Sequence, residues 1–271
     1  MNAGAPLGRS VRVEAVSKSF RLKRGASVQA IKRVDLEIAE GEFVALIGPS
    51  GSGKSTILRM IAGLDEPTSG SVTIAGEHPR VLARDHRLGV AFQDHALLPW
   101  LTVRKNIELP FRVAGRDVDR HQVDDLIDLV GLRGFADARP SQLSGGMRQR
   151  VSIARALALD PSVLLLDEPF GALDAVTRRR LNVELQAVWP RLRITTLLVT
   201  HSVEEAVFLA DRVVVLSARP AQVADVVEVG FERPREPDLL RDDRLHRIVD
   251  GLNARLDASE AESSASGGAA S

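Results

Sequence analysis

The run Gly48-Pro49-Ser50-Gly51-Ser52-Gly53-Lys54-Ser55-Thr56 constrains the fold more than any other segment. It follows a compact apolar stretch, Glu42 to Ile47, and precedes Ile57, Leu58, Ile61 and Leu64, which recur at helical spacing. The order is therefore strand, glycine-rich loop, helix. In that setting the pattern G-x-x-x-x-G-K-[ST] reads as a phosphate-binding loop. Glycines let successive N–H groups turn toward one centre, and the start of the helix favours an anion. Lys54 is placed to reach the β- and γ-phosphates, and the Ser55 hydroxyl to bind Mg²⁺.

The rest of the chain supplies a matching frame. Short strands are expected at Val11–Val16, Ile31–Ile38, Ser71–Ala75 and Leu88–Phe92. Helical spacing runs from Val103 to Leu132, where Val123, Leu126, Ile127 and Val130 share one face and Gly131 and Gly134 end it. A helix follows from Ser144 to Ala158. Then strands at Val163–Leu166, Thr196–Val199 and Val213–Leu216 alternate with helices marked by Leu181, Leu185 and Val188 and by Val203–Leu209. Strands alternating with helices imply βαβ units and a mainly parallel sheet covered on both faces. The fold class is α/β, with an antiparallel β-subdomain and a helical subdomain at about 95–158 added to the core. Residues 1–10 read as a flexible leader, 11–232 as the main domain, 233–257 as a C-terminal helical extension, and 258–271 as a disordered tail of small and acidic residues.

Three further features bear on chemistry. The apolar run Val163–Leu166 ends in Asp167-Glu168-Pro169. Asp167 at a strand end suits Mg²⁺, and Glu168 suits a general base for an attacking water, although Asp-Glu-Pro also reads as a solvated turn. A phosphate loop by itself admits kinases, GTPases, helicases and transporter ATPases. The run Leu143-Ser144-Gly145-Gly146 adds a helix start at which Ser144 caps and the glycines expose N–H groups to a second anion, although by itself it also reads as a plain N-cap with glycines. The sequence lacks cysteine, which excludes thiolate metal sites and cysteine nucleophiles.

With these three motifs in this order, residues 11–217 resemble the ATP-binding-cassette (ABC) ATPases, P-loop NTPases whose signature is a Leu-Ser-Gly-Gly run followed by a basic helix. The resemblance implies that ATP and Mg²⁺ are bound and ATP is hydrolysed. It implies that Phe20 stacks on adenine and that Gln93 touches Mg²⁺ and the attacking water. Asp174 becomes a dimer contact, and His201 contacts the γ-phosphate. The signature Leu143, Ser144, Gly145 and Gly146 acts in trans, on the ATP held by a second copy. Met147 stands where glutamine is usual and Ser202 where an acidic residue is common.

Fifty positions separate Gln93 and Leu143, room for a small helical subdomain but not for a long coiled-coil arm. The longest strictly apolar run has five residues, as in Phe43–Ile47, against roughly 20 for a membrane span. The N-terminus has no apolar signal segment. The expected setting is therefore cytoplasmic, on the inner face of the membrane, beside a separate permease subunit and, indirectly, a solute-binding protein. The run Gln93 to Trp100 and the run Gly171 to Arg178 resemble the nitrate/sulfonate/taurine importer branch. Nitrate, taurine, an alkanesulfonate and a heterocyclic vitamin precursor all stay open as cargo. The stretch Leu97-Leu98-Pro99-Trp100 reads either as an exposed groove for a partner helix or as local core packing.

Arg178-Arg179-Arg180 reads as a solvated helix face rather than a nucleic-acid patch. The balance of 36 basic and 36 acidic residues also argues against a nucleic-acid partner. The alternatives are a soluble non-transport ABC ATPase driving assembly or repair, a nucleotide-dependent regulator with little turnover, and an exporter cassette.

Overall fold

The computed structural model describes residues 9–21, 27–171, 173–192 and 194–267. Strands β1 (Val11–Arg21) and β2 (Ser27–Ile38) pair antiparallel, with Val11 opposite Ile38. The phosphate loop links β3 (Phe43–Ile47) to α1 (Lys54–Ile61), and β4 (Ser69–Ile74) adds to the outer edge of β1. The helix α2 (Pro79–Arg84) precedes β5 (Leu88–Ala91). A helical block follows, α3 (Val103–Val113), α4 (Arg120–Leu129) and α5 (Gly145–Leu157). The chain then alternates through β6 (Val163–Asp167), α6 (Ala175–Leu192), β7 (Thr195–Val199), α7 (Val203–Leu209) and β8 (Arg212–Leu216). It ends with β9 (Ala221–Glu228) and α8 (Asp243–Gly267).

The nine strands form one sheet in the order β4-β1-β2-β9-β8-β3-β7-β6-β5. The neighbours β8-β3-β7-β6-β5 are all parallel. Because successive side chains of a strand point to opposite faces, Phe43, Ala45 and Ile47 pack into one core with the helical block. Val44 and Leu46 pack into a second core with α1 and the antiparallel strands. A methyl group on Gly89 would lie 2.4 Å from the Ala156 carbonyl oxygen, so the backbones of β5 and α5 touch directly. That contact ties the helical block to the sheet edge.

Four details differ from the sequence expectations. The stretch 103–132 is two helices rather than one continuous period: Gly115 turns the chain at φ 65°, and Asp119 restarts it by accepting the N–H groups of His121 and Gln122. The strand β9 was not anticipated. It pairs antiparallel with β8 and parallel with β2, and so fuses the antiparallel strands to the parallel core. The helix α2 was likewise not anticipated. Finally, α8 continues to Gly267, so residues 258–267, expected as disordered tail, are helical. Alanine and glutamate are good helix formers, and an established helix propagates more easily than it starts. Residues 268–271 of that tail and 1–8 of the leader lie outside the described residues.

The C-terminal extension is anchored by cations at a helix end. Arg235, 3% exposed, donates to the carbonyls of Val207, Phe208 and Ala210 at 2.8–3.0 Å. These are the orphan carbonyls that close α7. Burial pulls the Arg235 guanidinium down to about 10.

Candidate functional site

Each parallel strand delivers its chemistry at its carboxyl end: the phosphate loop after β3, Gln93 just after β5, Asp167-Glu168 at the end of β6, and His201 just after β7. The carboxyl edge of a parallel sheet is where α/β folds bind ligands. Here it opens into a cleft of about 420 Å³ lined by residues of the 48–56 loop together with Glu168, His201 and Arg219.

The loop's shape depends on glycine. Gly51 and Gly53 sit at φ 74° and 91°, in the left-handed region that side chains disfavour. Lys54 is 7% exposed and its Nζ donates to the carbonyls of Gly48 and Pro49 at 2.8 and 2.9 Å. Burial lowers the Lys54 pKa, against the attraction of Glu168 and Asp167. The Ser55 hydroxyl donates to Asp167 Oδ1 at 2.9 Å, and burial raises the pKa of Asp167. A buried carboxylate beside a hydroxyl is a donor set that a divalent cation suits. The donors are hard oxygens, as Mg²⁺ prefers. Among the described residues no cluster of three or more His, Cys, Asp and Glu is present, and Mg²⁺ needs none when phosphates and water complete its shell.

Glu168 is the meeting point of the site. Its backbone is held at φ 47° by the N–H bond to the Val199 carbonyl at 2.8 Å, a conformation rare for a non-glycine residue. Its Oε2 accepts from Gln93 Nε2 at 3.2 Å and lies 3.4 Å from His201 Nδ1. Gln93 thus meets Glu168 through its amide nitrogen, which leaves the amide oxygen as the atom suited to a metal.

The other expected residues lie elsewhere. Phe20 is near the end of β1, 40% exposed, with Lys18 Nζ 5.2 Å above its ring. Leu143 precedes α5, Ser144 caps it and Gly145 and Gly146 begin it, and none of the four lines the cleft of their own chain. Ser144 Oγ accepts the Met147 N–H at 3.2 Å. A methyl group at Gly146 would lie 2.6 Å from Leu173 Cδ2, so the end of the Leu173 side chain would have to shift to admit it. Asp174 caps the start of α6: its carboxylate accepts the Thr177 N–H at 2.9 Å and the Thr177 hydroxyl at 2.7 Å, which hold its pKa below the ordinary range. Arg179 and Arg180 pair with Glu204 and Glu184, and Arg178 donates to the Phe170 and Leu173 carbonyls.

The stretch 97–100 is part core and part surface. Leu97 and Leu98 are half-buried, and Leu97 packs on the core, whereas Pro99 and Trp100 are exposed, Trp100 at 67%. A residue not singled out from the sequence holds this loop. Asn106 is fully buried in α3. It accepts the Leu98 N–H and donates to the carbonyls of Leu98, Leu101 and Thr102. A lone asparagine in an amphipathic helix carries no signal of that role.

Glu205 was also missed. Ser202 and Glu205 stand at capping-box spacing, and Ser202 Oγ does accept the Glu205 N–H at 3.3 Å. The Glu205 side chain does not return the bond. It is 3% exposed, and its Oε1 has no hydrogen-bond partner among the described residues. Burial pushes its pKa up to about 7; Thr200 and Arg178 act to lower it, and Glu168 to raise it. Between the ordinary carboxyl value and about 7, the folded chain keeps a proton that the unfolded chain releases. Stability therefore falls as pH rises through that window. Glu205→Gln should stabilise the protein at pH 8 by about 2–3 kcal/mol and make no difference near pH 4. Melting temperature against pH for both proteins tests this, and parallel profiles contradict it.

Comparison with known proteins gives the following. The family model for the ABC transporter matches residues 31–171. The nitrate import ATP-binding protein NrtD of Synechococcus elongatus is 46% identical over 235 residues, 85% of this chain and 85% of that protein. The aliphatic sulfonates import ATP-binding protein SsuB of Bacillus thuringiensis subsp. konkukian is 43% identical over 226 residues, 83% of this chain and 88% of that protein. Among solved structures, the dimeric post-hydrolysis state of the ATP-binding cassette MJ0796 bound to ADP and Pi superposes with a TM-score of 0.73 at 35% identity. It covers 82% of this chain and all of that one.

Proposed function

The chain belongs to the ABC transporter family of ATP-binding proteins, and on that premise we propose that two copies of it power an importer through a separate membrane permease. It is the ATP-binding and ATP-hydrolysing subunit of the system. The observation that carries the reading is the convergence of Gln93 and His201 on Glu168, over the loop that holds Lys54 and Ser55.

The triphosphate lies on the N–H groups of the 48–56 loop, with Lys54 exchanging its carbonyl partners for phosphate oxygens. Phe20 stacks on the adenine. Glu168 accepts a proton from water as the water oxygen bonds to the γ-phosphorus. The bond from that phosphorus to the β–γ bridging oxygen breaks, and the electron pair leaves with ADP. His201 donates to the γ-phosphate oxygens, and Gln93 positions the water. Ser55, Asp167 and Gln93 would hold Mg²⁺, which when bound neutralises charge on the β- and γ-oxygens. Positioning and fixed charge supply the rate.

The site is completed in trans. Ser144 and Gly146 of the second copy approach the γ-phosphate, where the start of α5 presents N–H groups to an anion. Asp174 lies at the contact between copies. The MJ0796 cassette, a structural relative, forms dimers. Hydrolysis removes the γ-phosphate that bridges the copies, and the pair opens.

No helix among the described residues is long and apolar enough to cross a membrane, so translocation falls to the permease. Trp100, held out by the loop that Asn106 pins, is the contact for it. On this reading the chain sits at the cytoplasmic face of the membrane, and a solute-binding protein delivers cargo from the other side. The cargo belongs to the small anions, since nitrate and aliphatic sulfonates are named for the relatives. Expression in the native membrane background, followed by mild affinity capture, tests the assignment. A polytopic membrane protein should co-purify with the wild-type chain and be lost with Trp100→Ala, while MgATP affinity stays unchanged. A partner that is soluble, or a membrane partner indifferent to Trp100, contradicts it.

A further inference from the structure

We propose that Arg219 is a nucleotide-binding residue, its guanidinium meeting the phosphates on the 48–56 loop, and that α8 holds it there. The proposal rests on the ATP-binding reading above and adds a residue and a structural support to it.

The placement begins at the end of β8. A methyl group on Gly48 would lie 3.0 Å from both the Cβ and the carbonyl oxygen of Leu216. The end of β8 therefore lies against the first residue of the phosphate loop, and the next few residues must follow the rim of the cleft. Hydrogen bonds define their path. The Ser217 N–H donates to the Gln222 carbonyl at 2.9 Å, and the Gln222 N–H returns to Ser217 Oγ at 3.0 Å. The turn so closed carries Arg219 into the wall of the cleft, beside Gly48, Ser50 and Gly51.

The charge is right for the ligand. MgATP brings excess negative charge into a cleft that already holds Glu168 and Asp167, and Lys54 is the cation within the loop itself. Arg219 supplies a second. Among the described residues it forms no ion pair. A guanidinium also offers a planar fork of donors that matches phosphate oxygens.

The support comes from far along the chain. Ser259 Oγ, in α8, accepts the Ala218 N–H at 3.1 Å, and Arg255 of the same helix pairs with Asp225 of β9. The turn and β9, the strand that follows it, are thus in contact with α8. The C-terminal helix sets where Arg219 stands, and in doing so it reaches the nucleotide.

Titration of fluorescent MgATP into the full-length chain tests this. Arg219→Gln should raise the dissociation constant about tenfold, the loss of one charge-assisted hydrogen-bonding group. The deficit should shrink as salt is raised, because the contact is ionic. Ser259→Ala should weaken binding by a smaller factor, about threefold, and should add nothing in the Arg219→Gln background. Equal affinity of Arg219→Gln and wild type overturns the proposal. Additive effects of the two substitutions overturn the part played by α8. Failure of the wild-type chain to bind MgATP is a different outcome, and it would remove the ATP-binding reading itself.

Discussion

Glu168→Gln should bind MgATP as tightly as the wild-type chain and release phosphate at least about a hundredfold more slowly, the usual scale for loss of a general base. The substitution keeps the shape of the side chain and removes its ability to take a proton. It leaves the neighbours able to stay in place, since Gln93 at 3.2 Å and His201 at 3.4 Å can still hydrogen-bond to an amide. The strained backbone at φ 47° is set by the Val199 carbonyl and not by the side chain, so the local fold should survive. Phosphate release and nucleotide titration on the same preparation separate binding from chemistry. Undiminished turnover would take the base role away from Glu168 and leave His201, the other proton acceptor beside it, as the group to examine.

Lys54→Ala should fail at the earlier step, with MgATP affinity reduced about a hundredfold. In the structure the ammonium group donates to the carbonyls of Gly48 and Pro49. Those weak neutral acceptors hold it in the loop and yield to a phosphate. Its loss leaves Asp167 and Glu168 facing a triphosphate with no buried cation between them, so repulsion adds to the missing bonds. Stability should suffer less than binding, because removing Lys54 also removes the cost of burying it. Isothermal titration with MgATP reads the effect, and an affinity within a fewfold of wild type would contradict the assigned geometry.

Much of this site was legible in the sequence because its chemistry is local. The phosphate loop and Asp167-Glu168 are each a few adjacent residues whose types are dictated by backbone shape or strand termination. The order strand, loop, helix placed them on the correct elements. What escaped was carried by distance. Arg219 reaches the cleft only because β8 lies beside β3, and Glu205 matters only because α7 turns it inward instead of back onto its own cap. Asn106 looks like any polar residue of a helix until the loop at 98–102 folds over it.

The strand β9 was hidden for another reason. Ala221–Glu228 mixes acidic residues with valines on a half-exposed strand, so it lacks the apolar continuity of β3, β6 and β7. The division between α3 and α4 was hidden because apolar residues recur at helical spacing on both sides of the break at Gly115. The stretch 258–267 consists of small and acidic residues, so it shows no apolar periodicity from which its helix could be read.

The central claim is that this chain works as an ATP-closed pair in which each copy completes the other's site. The direct measurement is the solution mass of Glu168→Gln, which holds ATP without consuming it, with and without MgATP. The account predicts one chain per particle without nucleotide and two with it. It also predicts that Ser144→Arg, which crowds the approach to the second copy's phosphate without touching the loop of its own chain, abolishes the doubling while leaving MgATP binding intact. A mass that stays at one chain under saturating MgATP would contradict the claim.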